Sequence, residues 1–259
     1  MSNGLYNGLS NGLFNGLYSN DIGARLKDPI INLDAGDRRS ASSNIVTKWT
    51  DLTYNNYNGI LVNGAIFNST SQGCISCNGG SAYVEIENSD KIKLGAENFT
   101  IEYWVKKKVT TVGTATVYSG IWGVNKWISG ANPGQNEWSL GLGDANVDQF
   151  AFGIEVGTTS FSTGVYPLTI NQWYQAVGIR KGEKLQLYVN GILRQEYTHP
   201  FFNQNSIINH SGKKIRIHNS YLDSYHTNAD VAILKFYKKA LSKEEVRDSF
   251  NNLRGRFGI

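Results

Sequence analysis

The chain has 259 residues with 14 Tyr, 11 Phe, 6 Trp and 28 Gly, a formal net charge of +4 and 18% charged residues. One β domain of about 200–250 residues fits that length, and a composition rich in aromatics and glycine favours strands and tight turns. The small basic excess is interspersed with acids, unlike the clustered positive face of a nucleic-acid binder; no run of about 20 apolar residues offers a membrane helix; and two cysteines do not make a disulfide-rich scaffold.

The opening Met1-Ser2-Asn3-Gly4-Leu5 lacks a basic stretch followed by an apolar one, so no secretory leader is expected. A four-residue repeat runs through Asn3-Gly4-Leu5-Tyr6, Asn7-Gly8-Leu9-Ser10, Asn11-Gly12-Leu13-Phe14 and Asn15-Gly16-Leu17-Tyr18. Each unit joins a turn-forming Asn-Gly pair to one or two apolar side chains. Leu at every fourth position mimics a helical stripe, but each Gly costs a helix about 1 kcal/mol against Ala. Residues 1–27 are therefore read as an assembly arm that docks Leu5, Tyr6, Leu9, Leu13, Phe14, Leu17 and Tyr18 on another surface; the alternative is a low-complexity tail.

Residues 28–253 make the domain body, beginning with a strand at Ile30-Ile31-Asn32-Leu33-Asp34-Ala35. A turn-rich stretch leads to Ile60-Leu61-Val62, and Asn63-Gly64 supplies a tight turn. Ser81 to Ile86 alternates polar and apolar, as does Phe99 to Val105, where Phe99, Ile101, Tyr103 and Val105 share one face. Trp104 falls on the other, less apolar face, which predicts that this face is also partly covered. Lys106, Lys107 and Lys108 then read as an exposed strand end, with a phosphate or anionic-glycan contact as the alternative. Trp173 to Arg180 and Lys184 to Val189 are strands, and Val189-Asn190-Gly191-Ile192 is the strongest hairpin signal, because Asn-Gly tolerates the positive φ of a type I′ turn. Two further strands are expected at residues 213–218 and 230–237. Ser242 and Glu245 form a capping box for a short helix whose apolar stripe is Val246, Phe250 and Leu253, ending at Gly255. Residues 254–259 are then a tail, either a cap on the fold or a second docking element.

Little of this pattern suggests catalysis. Glu85 and Glu87 are spaced as one strand would place a glycosidase pair, yet their alternation with Val84 and Ile86 reads as a solvated polar face. His199, His210, His218 and His226 lack the close spacing of a zinc site. Cys74-Ile75-Ser76-Cys77 is a C-x-x-C whose odd separation points the thiols to opposite faces if the segment is extended, so two unpaired, partly buried cysteines are expected, with a redox bond across a turn or a metal site as the alternatives. The oxygen-rich loop carrying Asp144, Asn146 and Asp148 is a candidate for calcium, with a metal-free turn as the alternative. Trp122, Trp127, Trp138, Tyr221 and Tyr225 sit in polar stretches and are candidates for carbohydrate or protein contacts as well as for packing.

The ordered set Leu33-Asp34-Ala35, Trp49-Thr50-Asp51-Leu52, Gly59 to Gly64, Tyr83 to Ile86, Phe99 to Val105, Leu187-Tyr188-Val189-Asn190-Gly191 and Phe236 to Val246 resembles the laminin-G-like branch of the concanavalin A-like lectin/glucanase superfamily. The resemblance implies an all-β jelly-roll sandwich of two curved antiparallel sheets, with a short C-terminal helix, used for recognition of carbohydrate or protein. The Glu-x-Asp-x-x-Glu motif of the family's glucanases is absent, so no enzyme is expected. The ending Ser249 to Ile259 is similar to those of laminin-G-like structural proteins of tailed bacteriophages. That likeness, with the arm, implies a non-catalytic virion protein assembled in a bacterial cytoplasm as capsid decoration, neck or tail attachment, or fibre component. Its expected partners are other virion proteins, further copies of itself and a host-surface glycan, with no direct nucleic-acid binding. The alternatives are a free carbohydrate-binding lectin and, more remotely, a glycoside hydrolase.

Overall fold

The computed structural model describes residues 29–42, 47–110, 112–114, 117–119, 123–126, 137–143, 147–203, 205–208, 212–219 and 226–259. Along the chain the strands are β1 (Ile31–Asp34), β2 (Lys48–Trp49), β3 (Gly59–Val62), β4 (Ile66–Asn68), β5 (Cys74–Asn78), β6 (Tyr83–Ile86), β7 (Phe99–Lys107), β8 (Val112–Thr114), β9 (Val117–Ser119) and β10 (Val124–Asn125). They continue with β11 (Trp138–Gly141), β12 (Gln149–Val156), β13 (Thr159–Ser162), β14 (Tyr166–Pro167), β15 (Trp173–Lys181), β16 (Lys184–Val189), β17 (Ile192–Thr198), β18 (Arg216–Ile217) and β19 (Asn228–Tyr237), and the helix α1 spans Lys243–Phe257.

These strands build two antiparallel sheets. The first runs β17-β16-β15-β7-β19-β5-β4, with β1 beside β19; the second runs β13-β12-β11-β10-β18-β6-β3-β2, with β14 beside β12. Strands β8 and β9 form a separate two-stranded ribbon. The long central strands β7 and β19 pair from Ala229↔Lys107 to Tyr237↔Thr100, so neighbours in the first sheet come from distant parts of the sequence.

Period-two alternation sorts each strand's side chains between two environments. Phe99, Ile101, Tyr103 and Val105 of β7 enter the core between the sheets, with Val84, Phe150, Phe152, Leu187 and Phe236. Trp104 points the opposite way, into a second cluster with Trp173, Ile233 and Phe257, against which Phe250 and Leu253 pack. The covering of that outer face is α1. Cys77 lies in the inter-sheet core and Cys74 in the cluster under the helix, both free and buried. The odd spacing therefore has the consequence expected of it.

Helix α1 begins as its sequence dictates: Ser242 Oγ accepts from the Glu245 backbone N–H, and Glu245 Oε2 accepts from that of Ser242 at 2.7 Å. Its end differs from expectation. The helix continues through Gly255 to Phe257, and Gly258 supplies the left-handed cap at φ 70°. The reason is packing, because Phe257 stacks on Trp104 with ring centroids 4.4 Å apart and meets Trp173 at 4.8 Å. Most of the last residues thus belong to the helix and cap the sandwich. The Asn190-Gly191 hairpin also forms as expected, with φ of 53° and 74° between β16 and β17.

A charged layer lies where α1 meets the sheet. Glu102 is buried and accepts from Trp104 Nε1 at 3.0 Å, Gln175 Nε2 at 3.0 Å and Ser249 Oγ at 2.6 Å. Burial pushes its carboxyl up, but the nearby Lys235 ammonium and these three donors outweigh it and hold the group below its usual range. The lysine run is likewise engaged. Lys106 and Lys108 both pair with Asp230, and Lys107 is 1% exposed and pairs with Asp148 at 2.6 Å. The exposed strand end expected from three successive lysines is corrected: the topology delivers a carboxylate to each face of the strand.

Candidate binding surface

The expected arm residues Leu5, Tyr6, Leu9, Leu13, Phe14, Leu17 and Tyr18 lie outside the described residues, as do Trp122, Trp127, Tyr221, Tyr225, Asp144 and Asn146. Trp138 is described and is buried in the core, its ring 5.7 Å from that of Phe236. It is a packing residue, out of reach of a ligand. Asp148, the described member of the calcium candidate, is the partner of Lys107, whose Nζ also donates to the Leu142 carbonyl at 2.9 Å. Glu85 pairs with Lys214 and Arg216, and Glu87 accepts from Asn58 Nδ2, so these carboxylates are engaged in structural contacts. Among the described residues no group of three or more His, Cys, Asp or Glu is placed to hold a metal ion.

Exposure points to a different place. Ten large apolar side chains of the described residues are exposed, and six of them, Val165, Ile192, Leu193, Tyr197, Phe201 and Ile207, come from residues 165–207. That concentration follows from topology. Strand β17 ends the first sheet and β13 ends the second, so among the described residues each has one unpaired edge, and Phe161 and Ser162 of β13 meet His199, the residue after β17.

The contacts across this seam are specific. Gln195 Nε2 donates to the Val165 carbonyl at 2.9 Å, and His199 Nε2 lies 3.1 Å from the Ser162 carbonyl. A carbonyl only accepts, so Nε2 carries the proton and Nδ1 of the neutral ring is left as an acceptor. Burial pulls the imidazole below its usual value of 6.5, opposed by that hydrogen bond. The ring of His199 meets Phe161 edge-on at 4.8 Å and Tyr197 at 4.2 Å, and Arg194 lies over the Tyr166 ring at 4.7 Å.

A β-bulge places the polar members. Leu187 of β16 pairs with Gln195 while Tyr188 pairs with Leu193, which leaves Arg194 as the extra residue. Bulges re-aim side chains, and here both Arg194 and Gln195 reach the 164–166 segment. The result is a shallow strip of aromatic faces interleaved with a guanidinium, an amide and an imidazole. Such a strip stacks on apolar ring faces and exchanges hydrogen bonds with polar rims.

A second concavity of about 450 Å³ is lined by Ala35, Gly36, Arg38, Ala41, Phe67 and Gln72. Beside it, Arg256 is bound to Asp34 and to the Ser71 and Gly73 carbonyls, a staple between α1 and the body. The polar groups there are engaged in holding the fold together.

A family model described as the concanavalin A-like lectin/glucanases superfamily, of laminin G type, matches residues 78–247. The chain belongs to this superfamily. A comparison with curated protein sequences finds no match. Among solved structures, the fold is similar to the botulinum neurotoxin serotype G binding domain, at 16% identity and TM-score 0.60, over 87% of this chain and 51% of that one. It is also similar to the binding domain of botulinum neurotoxin DC in complex with SialylT, at 15% identity and TM-score 0.60, over 88% of this chain and 52% of that one. The binding domain of paraclostridial mosquitocidal protein 1 matches at 16% identity and TM-score 0.63, over 87% of this chain and 52% of that one. This chain thus spans about half the length of the structures it matches, each of which is a binding domain.

Proposed function

We propose that the protein is a non-catalytic, lectin-like recognition domain that binds a surface glycan along the β13–β17 seam. The observation that carries this reading is exposed Tyr197 against half-buried His199 at the seam, beside Arg194, whose guanidinium lies over the half-buried Tyr166 ring. Aromatic faces match the apolar face of a pyranose, and the neighbouring amide, imidazole and guanidinium match its hydroxyls. The superfamily supports it, as does the SialylT complex of one similar domain. Tyr197→Ala is expected to weaken glycan binding about tenfold, the scale of one lost aromatic contact, while leaving the melting temperature nearly unchanged because Tyr197 is 48% exposed. Titration of both forms with members of an immobilised-glycan panel that retain the wild type checks this. Equal affinities would move the site away from the seam.

A second reading rests on the Asn-Gly-Leu repeat, which has no place in a minimal sandwich. In it the chain is a bacteriophage virion protein, anchored by Leu5, Tyr6, Leu9, Leu13, Phe14, Leu17 and Tyr18, and the lectin-like body is displayed from the particle. Full-length protein is then expected to co-sediment with stripped parent particles, and a form lacking residues 1–27 is expected to stay in the supernatant. Equal binding by both forms would assign attachment to the sandwich.

A further inference from the structure

We infer that the seam selects acidic sugars, with Arg194 receiving a carboxylate; this rests on the glycan-binding reading above. Several basic side chains at the surface meet their counter-charge within the fold, Lys184 with Glu196, Arg216 with Glu85, Arg39 with Asp37 and Arg256 with Asp34, and others, such as Arg38, Lys48 and Arg254, stay exposed to solvent. Arg180, which has no carboxylate partner, is buried and donates to the Gly95 and Ser206 carbonyls. Arg194 has neither provision. It is half-buried, its Nε is enclosed without an acceptor, and its contact is the face of Tyr166 at 4.7 Å. The nearest acid on its own strand, Glu196, is occupied by Lys184 at 2.6 Å and Gln186 at 2.6 Å.

The arrangement is that of a guanidinium prepared for a ligand. Packing on Tyr166 fixes the plane of the fork, and the bulge that makes Arg194 the unpaired residue directs it to the seam. A fork held in plane and lacking a protein acceptor matches a carboxylate, which accepts two parallel N–H bonds. The enclosed, unbonded Nε removes one competing route for satisfying the cation internally. Tyr197 is three residues further along β17, a span of about 10 Å at the usual strand rise. That distance accommodates two sugar units, one stacked at Tyr197 and His199 and an acidic one at Arg194.

The test is retention on an immobilised panel of neutral, sialylated, uronate-bearing and sulfated glycans, using wild type, Arg194→Gln and Arg194→Lys, each confirmed as folded by its melting curve. Wild type is expected to hold carboxylate-bearing members about tenfold or more tightly than their neutral counterparts. Arg194→Gln is expected to lose that preference while keeping residual binding through Tyr197, and Arg194→Lys, which keeps the charge but not the fork, to recover only part of it. Equal retention of neutral and acidic members, retention confined to sulfated ones, or an unchanged preference in Arg194→Gln overturns the inference and leaves carbohydrate recognition standing. Retention of no member overturns both.

Discussion

Replacing Trp104 by alanine is expected to cost about 3–5 kcal/mol, the range for removing a large aromatic side chain from a packed core. Trp104 is fully buried between sheet and helix, stacked on Phe257 and nearly parallel to Phe250 at 5.9 Å. Three losses coincide: the buried apolar area, the two ring contacts that seat α1, and the indole N–H that Glu102 accepts at 3.0 Å. For a domain of this size the corresponding fall in melting temperature is about 10 °C or more. Urea unfolding followed by tryptophan fluorescence and by far-ultraviolet dichroism measures it. Trp104→Phe should lose much less, because it keeps the stacking and forfeits chiefly the hydrogen bond. A loss below about 1 kcal/mol in the alanine variant would show that α1 is not held to the sheet through this residue.

Acidification is expected to destabilise the fold well before its carboxylates protonate. His218 is fully buried, shares a hydrogen bond with the Tyr103 hydroxyl, and is pulled by burial from 6.5 down to about 3. An unfolded chain takes up a proton at this imidazole below pH 6.5, whereas the native state refuses it until about pH 3. Stability from this group is therefore complete above the unfolded value and drains away as pH falls, at about 1.4 kcal/mol per unit once the unfolded imidazole is protonated. Glu102 and Asp230, both held below their usual values, add their own losses only at the lower end, below about pH 4.5. Unfolding free energies measured from pH 7 to pH 4 should show a slope approaching one proton below pH 6. His218→Asn should flatten that slope, since asparagine tolerates the left-handed backbone at φ 66° and does not titrate. An unchanged slope in the variant would assign the acid limb to other groups.

The elements legible in the sequence are those fixed by short-range rules. Alternation in β7 assigned its inner face, and the misplaced-looking Trp104 correctly required a cover. The capping box, the Asn-Gly hairpin and the opposed cysteines each depend on neighbours within a few residues. The seam was not legible, for two reasons. A bulge carries no reliable composition, so nothing in Leu193-Arg194-Gln195 announces that Arg194 is the extra residue. The meeting of β13 with β17 is also a product of sheet order, which brings Phe161 and Ser162 to His199 across a long stretch of chain. At Trp138 the sequence left packing and contact both open, because a polar neighbourhood gave no sign that β11 turns the ring toward Phe236. The lysine run failed similarly, since Asp230, the partner of Lys106 and Lys108, arrives from β19, and Asp148, the partner of Lys107, comes from just before β12.

The two cysteines, set on opposite sides of one sheet, divide the molecule into separately sealed compartments. Lifting α1 unseals Cys74 while Cys77 stays closed between the sheets, where burial raises its thiol to about 12. Partial opening of the helix and rupture of the whole sandwich thus leave different chemical fingerprints on one strand, and β5 records which layer of the protein gave way first.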